Sequence, residues 1–247
     1  MPIRGRNLAL PELFLGLLSI GIAVVLTAKI VSGTIHDARH IRDTLSVTGS
    51  ARKPISSDLV RWSLTVRREA PTAAAAAKRL RGDVAAVRHF LEQQGVPSNA
   101  IAPGVVSSQE QVVSLGHHRR KISYRVSQGL DVSTRKLDVV ERTATTVGGL
   151  IAQGIDVSAD SPAYISTELT EAKLRALAAA TADARKRAEI LVHGLGGKLG
   201  PMRRTQLGVY QITPRDSTQV SDYGINDTTS REKDVNAVVT ATFAVSR

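Results

Sequence analysis

Cysteine is absent from this 247-residue chain. Its absence excludes disulfides, thiolate nucleophiles, cysteine-ligated zinc and iron–sulfur clusters. Aromatic residues are also scarce, at 3% of the chain. Proteins that bind single-stranded nucleic acid stack bases on aromatic rings, so this scarcity argues against nucleic acid as a partner.

Acidic residues are fewer than basic residues, although the composition is otherwise ordinary for a folded protein. The chain has 33 lysines and arginines against 22 aspartates and glutamates, a formal net charge of +11. Such an excess favours contact with anionic lipid or an anionic cell-wall polymer. A basic surface that meets only solvent is the alternative.

Charged residues are also missing from Leu13 to Ala28. With Ile30 and Val31 beyond Lys29, this run approaches the roughly 20 apolar residues of a membrane-spanning helix and exceeds the roughly 7–15 of a signal peptide. We therefore predict a retained N-terminal anchor, with a signal peptide cleaved near Gly33 as the alternative. The predicted anchor residues include Leu13, Phe14, Leu17, Leu18, Ile20, Ile22, Val24, Val25 and Leu26.

The anchor divides the chain into a short cytoplasmic N-terminus (residues 1–12), the membrane segment (13–31), a polar stalk (32–43) and a folded domain (44–247). Arg4 and Arg6 favour a cytoplasmic N-terminus, but Arg39 and Arg42 weaken that preference. We expect a single-pass protein of a bacterial inner membrane, with its domain in the periplasm. A cleaved protein, periplasmic or associated with the outer membrane, is the alternative.

From residue 44 onward, runs with helical periodicity alternate with runs of period 2. The former predict helices over 73–94, 133–153 and from Ser166 or Thr167 to Gly194. The latter predict strands, among them residues 156–165 and 234–246, and a polar loop over 214–233 precedes the last strand. The last helix carries a stripe rich in alanine, which allows close approach to a sheet. Its members are Leu169, Ala172, Ala176, Ala180, Ala184, Ala188, Leu191 and Leu195. The order of elements predicts an α+β fold, one antiparallel or mixed sheet with helices packed on it.

The stretch "ISYRVSQGLDV" (Ile122–Val132) alternates between apolar and polar residues. With residues 101–114 it predicts a β-hairpin whose apolar face lies in the core. The polar face consists of Ser123, Arg125, Ser127 and Asp131. The hairpin tip is a candidate contact for an anionic partner, through His117, His118, Arg119, Arg120 and Lys121.

Patterns that indicate catalysis are weak or missing. His36 and His40 have the spacing of two metal ligands on one helical face, but only Asp37 accompanies them, so we interpret them as part of a solvated stalk. The sequence has no G-x-S-x-G nucleophile motif. The run "GLGGKLG" (Gly194–Gly200) lacks the spacing of a phosphate-binding loop, and a helix stop explains it. We therefore expect no enzymatic activity, no cofactor and no metal site.

Several motifs resemble those of the SIMPL-domain family, over residues 45–245. They are Val47-Thr48-Gly49, Asp58, the strand Tyr124-Arg125-x-Ser127-x-x-Leu130, the helix Ala182-Asp183-Ala184-Arg185-x-Arg187-Ala188-Glu189 and Gly196-x-Lys198-Leu199-Gly200. The family includes bacterial periplasmic and outer-membrane immunodominant antigens, and some members are associated with oxidative-stress defence. The resemblance implies an exported α+β domain without established catalytic residues. It also implies self-assembly into ring or channel-like oligomers, which occurs in at least one branch of the family. On this basis we interpret the polar face of the hairpin strand, with Ser123, Arg125, Ser127 and Asp131, as a surface for assembly with other copies of the chain.

Three hypotheses follow. The first is a membrane-anchored, non-enzymatic envelope protein that forms homo-oligomers. The second is a monomeric module that binds an anionic polymer or lipid through Arg119, Arg120 and Lys121. An enzyme of unknown type is the third and least favoured.

Overall fold

A computed structural model describes residues 43–114 and 120–246, in which ten strands and four helices form. The strands are β1 (Thr44–Ser56), β2 (Leu59–Ala70), β3 (Ile101–Ser114), β4 (Arg120–Thr134), β5 (Asp156–Ala159), β6 (Ala163–Ile165), β7 (Lys198–Leu207), β8 (Gln211–Pro214), β9 (Ile225–Asn226) and β10 (Glu232–Ser246). The helices are α1 (Ala73–Gln93), α2 (Leu137–Thr146), α3 (Gly149–Ala152) and α4 (Leu169–Gly194). A short 3₁₀ turn spans Ser98–Ala100.

The predicted α+β class is confirmed, but the prediction of one sheet is wrong, because the described strands form two. Sheet 1 has the order β1-β10-β8-β9, with β7 also paired to β10. It is mixed, since β8 and β9 are parallel. Sheet 2 has the order β3-β4-β2-β5, with β6 also on β2, and its pairs are antiparallel.

The chain divides into two compact units. The smaller unit comprises the described residues 43–49, 181–207 and 239–246, and the larger comprises 50–180 and 208–238. β1, β10 and α4 each contribute residues to both units.

The core of the larger unit lies on one face of sheet 2. Val60, Trp62, Leu64 and Val66 alternate along β2 and are buried, as the period of a strand requires. Helix α1 covers this face with Ala76, Leu80, Val87 and Leu91. Thr72 begins that helix, since its Oγ1 accepts a hydrogen bond from the Ala75 amide at 3.2 Å. Gly95 follows its end with φ of 96°, a conformation that favours glycine.

The core of the smaller unit is built around alanine. Ala184 and Ala188 of α4 are fully buried against Val47, Ala241 and Phe243. The alanine stripe is confirmed from Ala172 to Ala188, whose members at four-residue spacing are all fully buried. Its predicted last members are wrong, because Leu191 and Leu195 are exposed and Val192 is buried in their place.

Two local predictions are corrected by the backbone. The predicted helix over 133–153 is two helices, since α2 ends at Thr146 and α3 begins at Gly149, beside Gly148. Glycine in a helix interior destabilises the helix, which accounts for the break. The predicted strand over 156–165 is likewise two short strands, β5 and β6, separated by a segment that contains Pro162.

The predicted anchor and the predicted stalk up to residue 42 lie outside the described residues, as do His117, His118 and Arg119 of the predicted hairpin tip. Within residues 43–114 and 120–246, none of the helices combines the length and the hydropathy that a membrane crossing needs.

Candidate functional site

The β3–β4 hairpin brings together most of the residues that the sequence singled out. The strands pair from Ile101 opposite Val132 to Ser114 opposite Arg120, with an irregularity between Pro103 and Val106. We call the described residues 110–113 and 120–124, on either side of the tip, the hairpin end. In the described part of the chain, β3 pairs with β4 alone, so β3 is an edge strand of sheet 2.

The polar face of β4 lies on the side of sheet 2 that faces away from α1. Arg125 and Asp131 are exposed, Ser127 is half-buried, and Ser123 is 4% exposed. The structure therefore places the four predicted assembly residues along one strand, three of them accessible in the chain itself and one enclosed.

Each of these four side chains already has a partner within the sheet. Ser63 donates a hydrogen bond to Asp131 Oδ1 at 2.7 Å, and the Oγ atoms of Ser107 and Ser127 lie 2.8 Å apart. Ser123 Oγ donates to Glu69 Oε1 at 2.6 Å, and Arg125 Nη2 lies 3.5 Å from Glu69 Oε2. Such cross-strand pairs stabilise a sheet. The assembly role of this face stays a prediction.

The same contacts stabilise the negative charge of the Glu69 carboxylate. The hydrogen bond from Ser123 lowers the pKa of the Glu69 carboxyl, and the nearby Arg125 and Lys121 charges act in the same direction. The carboxylate is therefore ionised at neutral pH. It offsets part of the basic charge at the hairpin end.

The hairpin end exposes apolar side chains that sequence patterning assigned to the core. Val112 and Ile122 lie directly opposite each other and are 52% and 50% exposed. Tyr124, next along this face, is half-buried and donates through its hydroxyl to Glu110 at 3.1 Å. The alternation placed Ile122 on the correct face, but α1 covers that face only further along the strand.

Two further exposed valines, Val105 and Val106, lie where the pairing of β3 is irregular. Sequence analysis did not identify Val105, Val106, Val112 or Val113 as functional candidates. The sequence does contain a signal for this exposed apolar surface, because β3 has two pairs of valines and the residues between the pairs are polar.

Arg120 and Lys121 are exposed on β4, as a contact with an anionic partner requires. Among the described residues, no group of three or more histidines, aspartates or glutamates has the arrangement of a metal site.

Asp58 fixes the chain before α4. Its Oδ1 accepts from the Thr167 amide at 2.7 Å, and its Oδ2 accepts from Thr167 Oγ1 at 2.6 Å and from Arg135 Nη1 at 2.9 Å. The hydrogen bonds from Thr167 lower the pKa of Asp58; burial opposes them less strongly, and the charge of Arg135 adds a further, smaller lowering. The contacts of Asp58 are those of a structural residue.

Asp58→Asn should destabilise the fold by about 1–2 kcal/mol at pH 7, since hydrogen bonds to a charged group are lost. Because folding lowers the pKa of Asp58, its contribution is complete above the unfolded value of about 4 and disappears as pH falls through the folded value. The difference between wild type and variant should therefore shrink below about pH 4. Urea unfolding followed by the fluorescence of the single tryptophan measures it; a difference that is independent of pH would contradict this role for the carboxylate.

The fold and the hairpin define an α+β protein with two sheets, one antiparallel and one mixed, and an exposed edge strand. The family model described as "SIMPL: Protein of unknown function (DUF541)" matches residues 45–243. The chain belongs to this family, which confirms the resemblance seen in its motifs. No curated protein matches the chain.

Proposed function

We propose that this chain is a non-enzymatic protein of the bacterial cell envelope that assembles into a ring or channel-like homo-oligomer. In this proposal residues 13–31 anchor it in the inner membrane, the SIMPL domain lies in the periplasm, and the assembly serves the response to envelope or oxidative stress. The observation that carries the proposal is the edge strand β3, which exposes Val105, Val106, Val112 and Val113.

An edge strand of 14 residues presents a row of backbone donors and acceptors to any strand that can pair with it. Proteins that remain monomeric protect such edges by charged side chains, bulges or covering segments. β3 has Glu110 and the irregularity near Pro103, but the four valines supply apolar surface along its length. A second copy of the chain would bury both the valines and the edge.

A ring requires two different contact surfaces on each subunit, because a surface that pairs with itself closes a dimer. We assign one contact surface to the edge and valines of β3, and the second to the polar face of β4, where Arg125, Ser127 and Asp131 are accessible and Ser123 is enclosed beside them. Because β4 is already paired with β2 and β3, this second surface contacts a neighbouring subunit through side chains and not through strand pairing. Arg125 and Asp131 have opposite charge and remain exposed, so they can form additional hydrogen bonds with a neighbouring subunit.

The mass of the full-length protein in detergent, measured by light scattering, tests the assembly. Wild type should form a species of several subunits, and Val112→Asp should raise the concentration at which it dissociates by at least about tenfold, since a charge would be buried at each interface. The matched control is Val220→Asp, in a loop where the valine is 82% exposed. It should assemble as wild type does.

A wild-type protein that is monomeric at every concentration would contradict the proposal. So would Val112→Asp and Val220→Asp proteins that assemble equally well. Circular dichroism shows whether each variant is folded. A change of mass in an unfolded variant does not report on assembly.

Fractionation tests the anchor separately. The full-length protein should remain in the membrane pellet after an alkaline wash, and deletion of residues 1–31 should release it. If expression of the full-length sequence gives a soluble product that begins near Gly33, the cleaved alternative is supported instead.

The second candidate function is binding of an anionic polymer or lipid through the hairpin tip, and the exposure of Arg120 and Lys121 favours it. Charge reversal of Arg119, Arg120 and Lys121 separates the two functions. If the chain binds anionic partners through the hairpin tip, the variant should no longer bind vesicles that contain anionic lipid. If the chain acts by assembly, the mass of the variant in detergent should equal that of wild type.

A further inference from the structure

Two adjoining cavities lie in the larger unit, away from the hairpin end. The outer one is an open groove of about 440 Å³, between Leu169 and Lys173 of α4, Tyr210, and Tyr223 of the loop before β9. The inner one has a volume of about 200 Å³. Both are lined by Leu169, Ile212 and Asn226, so the inner cavity and the groove meet at these residues.

Lys233 lies in the wall of the inner cavity, and its residue surface is only 3% exposed. Its Nζ donates to the main-chain carbonyl oxygens of Tyr164 at 2.7 Å and Asp227 at 2.5 Å. An ammonium has three protons, so these bonds leave one for another acceptor. Burial lowers the pKa of Lys233, and the charge of Asp227 opposes this effect.

The remaining wall of the inner cavity is mainly apolar, through Ile55, Tyr164, Ile165, Leu169 and Ile212. Asp227 is ionised there: burial acts to raise the pKa of its carboxyl, but hydrogen bonds from Thr229 and Ser230 lower it overall. An apolar cavity with a few convergent polar groups is the usual form of a small-molecule site.

The groove supplies aromatic surface, which is rare in this chain. Tyr223 is 97% exposed, and Lys173 Nζ lies 5.7 Å from the centre of the Tyr210 ring. Gly224 has φ of 83°, and a Cβ at this position would lie 2.8 Å from the Tyr210 carbonyl oxygen. Only glycine therefore allows the loop that carries Tyr223 to approach Tyr210 this closely.

We propose that these cavities form a binding site for a small carboxylate with an apolar body. The carboxylate accepts a hydrogen bond from Lys233, and the body extends past Leu169 and Ile212 to the tyrosines of the groove. The charged residues that line the two cavities are Lys233 and Asp227 in the inner cavity and Lys173 in the groove. Their sum is one positive charge, which suits a monoanion rather than a phosphate with two charges. This site is separate from the proposed assembly surface and does not depend on it.

Equilibrium dialysis of radiolabelled phenylacetate tests the site, with the full-length protein in lipid nanodiscs and empty nanodiscs as the blank. We expect saturable binding of one molecule per chain. 2-Phenylethanol, which has the same body without the charge, should bind at least about tenfold more weakly. Equal affinities for the two probes, or no saturable binding of phenylacetate up to about 10 mM, would overturn the proposal.

Three variants test the residues. Lys233→Met, whose unbranched side chain is one atom shorter and uncharged, should abolish the preference for phenylacetate over the alcohol. Tyr223→Ala should weaken phenylacetate binding severalfold without a loss of fold, since this ring is almost fully exposed. Val220→Ala, in the same loop but outside the groove lining, should bind as wild type does.

Circular dichroism shows which variants fold. If Lys233→Met does not fold, the preference of wild type for the charged probe and the effect of Tyr223→Ala decide the question. Unchanged binding by Tyr223→Ala would exclude the groove as the site of the apolar body. A preference retained by a folded Lys233→Met protein would exclude Lys233 as the carboxylate partner.

Discussion

Trp62→Ala is expected to destabilise the protein by about 3–5 kcal/mol, the usual range for an aromatic side chain removed from a core. Trp62 is 1% exposed on β2, and its Nε1 donates to the Asp160 carbonyl oxygen at 2.8 Å. Alanine leaves a cavity under α1 and an unpaired carbonyl. Since folded domains are stable by only about 5–15 kcal/mol, this substitution should remove a large fraction of the stability of the protein.

Urea unfolding followed by circular dichroism measures this effect, because the variant has lost the only tryptophan. Trp62→Phe should cost less, about 1–2 kcal/mol, since a ring still fills much of the space while the hydrogen bond is lost. Tyr223→Ala is the matched control, an exposed aromatic whose removal should change stability by less than about 0.5 kcal/mol. A Trp62→Ala protein within about 1 kcal/mol of wild type would contradict the described core.

The burial of Trp62 could be predicted from sequence because strand alternation is a local property. Residues 60, 62, 64 and 66 alternate with polar residues, and the pattern does not depend on which strands are neighbours. The same reasoning holds for β10, where Val235, Val239 and Phe243 share one face and are buried. Helix α1 could also be predicted, because Pro71 and Gly95 delimit it.

The division into two sheets could not be predicted in this way. β7 and β10 are distant in sequence, and so are β2 and β4, so their pairing depends on contacts that alternation does not encode. An alternating stretch of sequence predicts a strand that pairs with another strand, but it does not predict which strand that is. The number of sheets is therefore a long-range property, and the prediction of one sheet was wrong for this reason.

The candidate site was predicted in part. The sequence identified the hairpin and its polar face, but it could not show that Ser63, Glu69 and Ser107 already occupy the hydrogen-bonding groups of that face. It also gave Ile122 a core position, because alternation reports the face of a strand and not whether a helix covers it there.

Lys233 was missed although the sequence contains a signal for it. Residues at every second position of a strand share one face, so Lys233 lies on the same face of the last strand as Val235, Ala237 and Val239, which are all buried. A lysine on the inward face of a strand must be satisfied there, since an unpaired buried charge is strongly unfavourable. The polar run over residues 214–233 predicts a loop, and apolar alternation becomes clear only from Asp234, so the pattern assigns Lys233 to the loop.

Ala184→Leu is expected to destabilise the protein by about 1–3 kcal/mol, since added carbon atoms in a filled core force neighbours from their positions. Ala184 is fully buried against Val47, Ala241 and Phe243, so the larger side chain has no space without a shift of α4 or of the strands. The effect should be local to the smaller unit. Hydrogen exchange should therefore increase in residues 181–207 and 239–246 before it increases in sheet 2.

Ala182→Leu provides the matched control, because Ala182 lies on the same helix two residues earlier and is exposed. The two substitutions have the same composition and nearly the same helix propensity, so the difference between them measures packing alone. Ala182→Leu should change stability by less than about 0.5 kcal/mol. If both variants exchange and unfold as wild type does, close packing of α4 through its alanines does not hold this unit together. The alanine stripe would then reflect helix propensity rather than contact with the sheet.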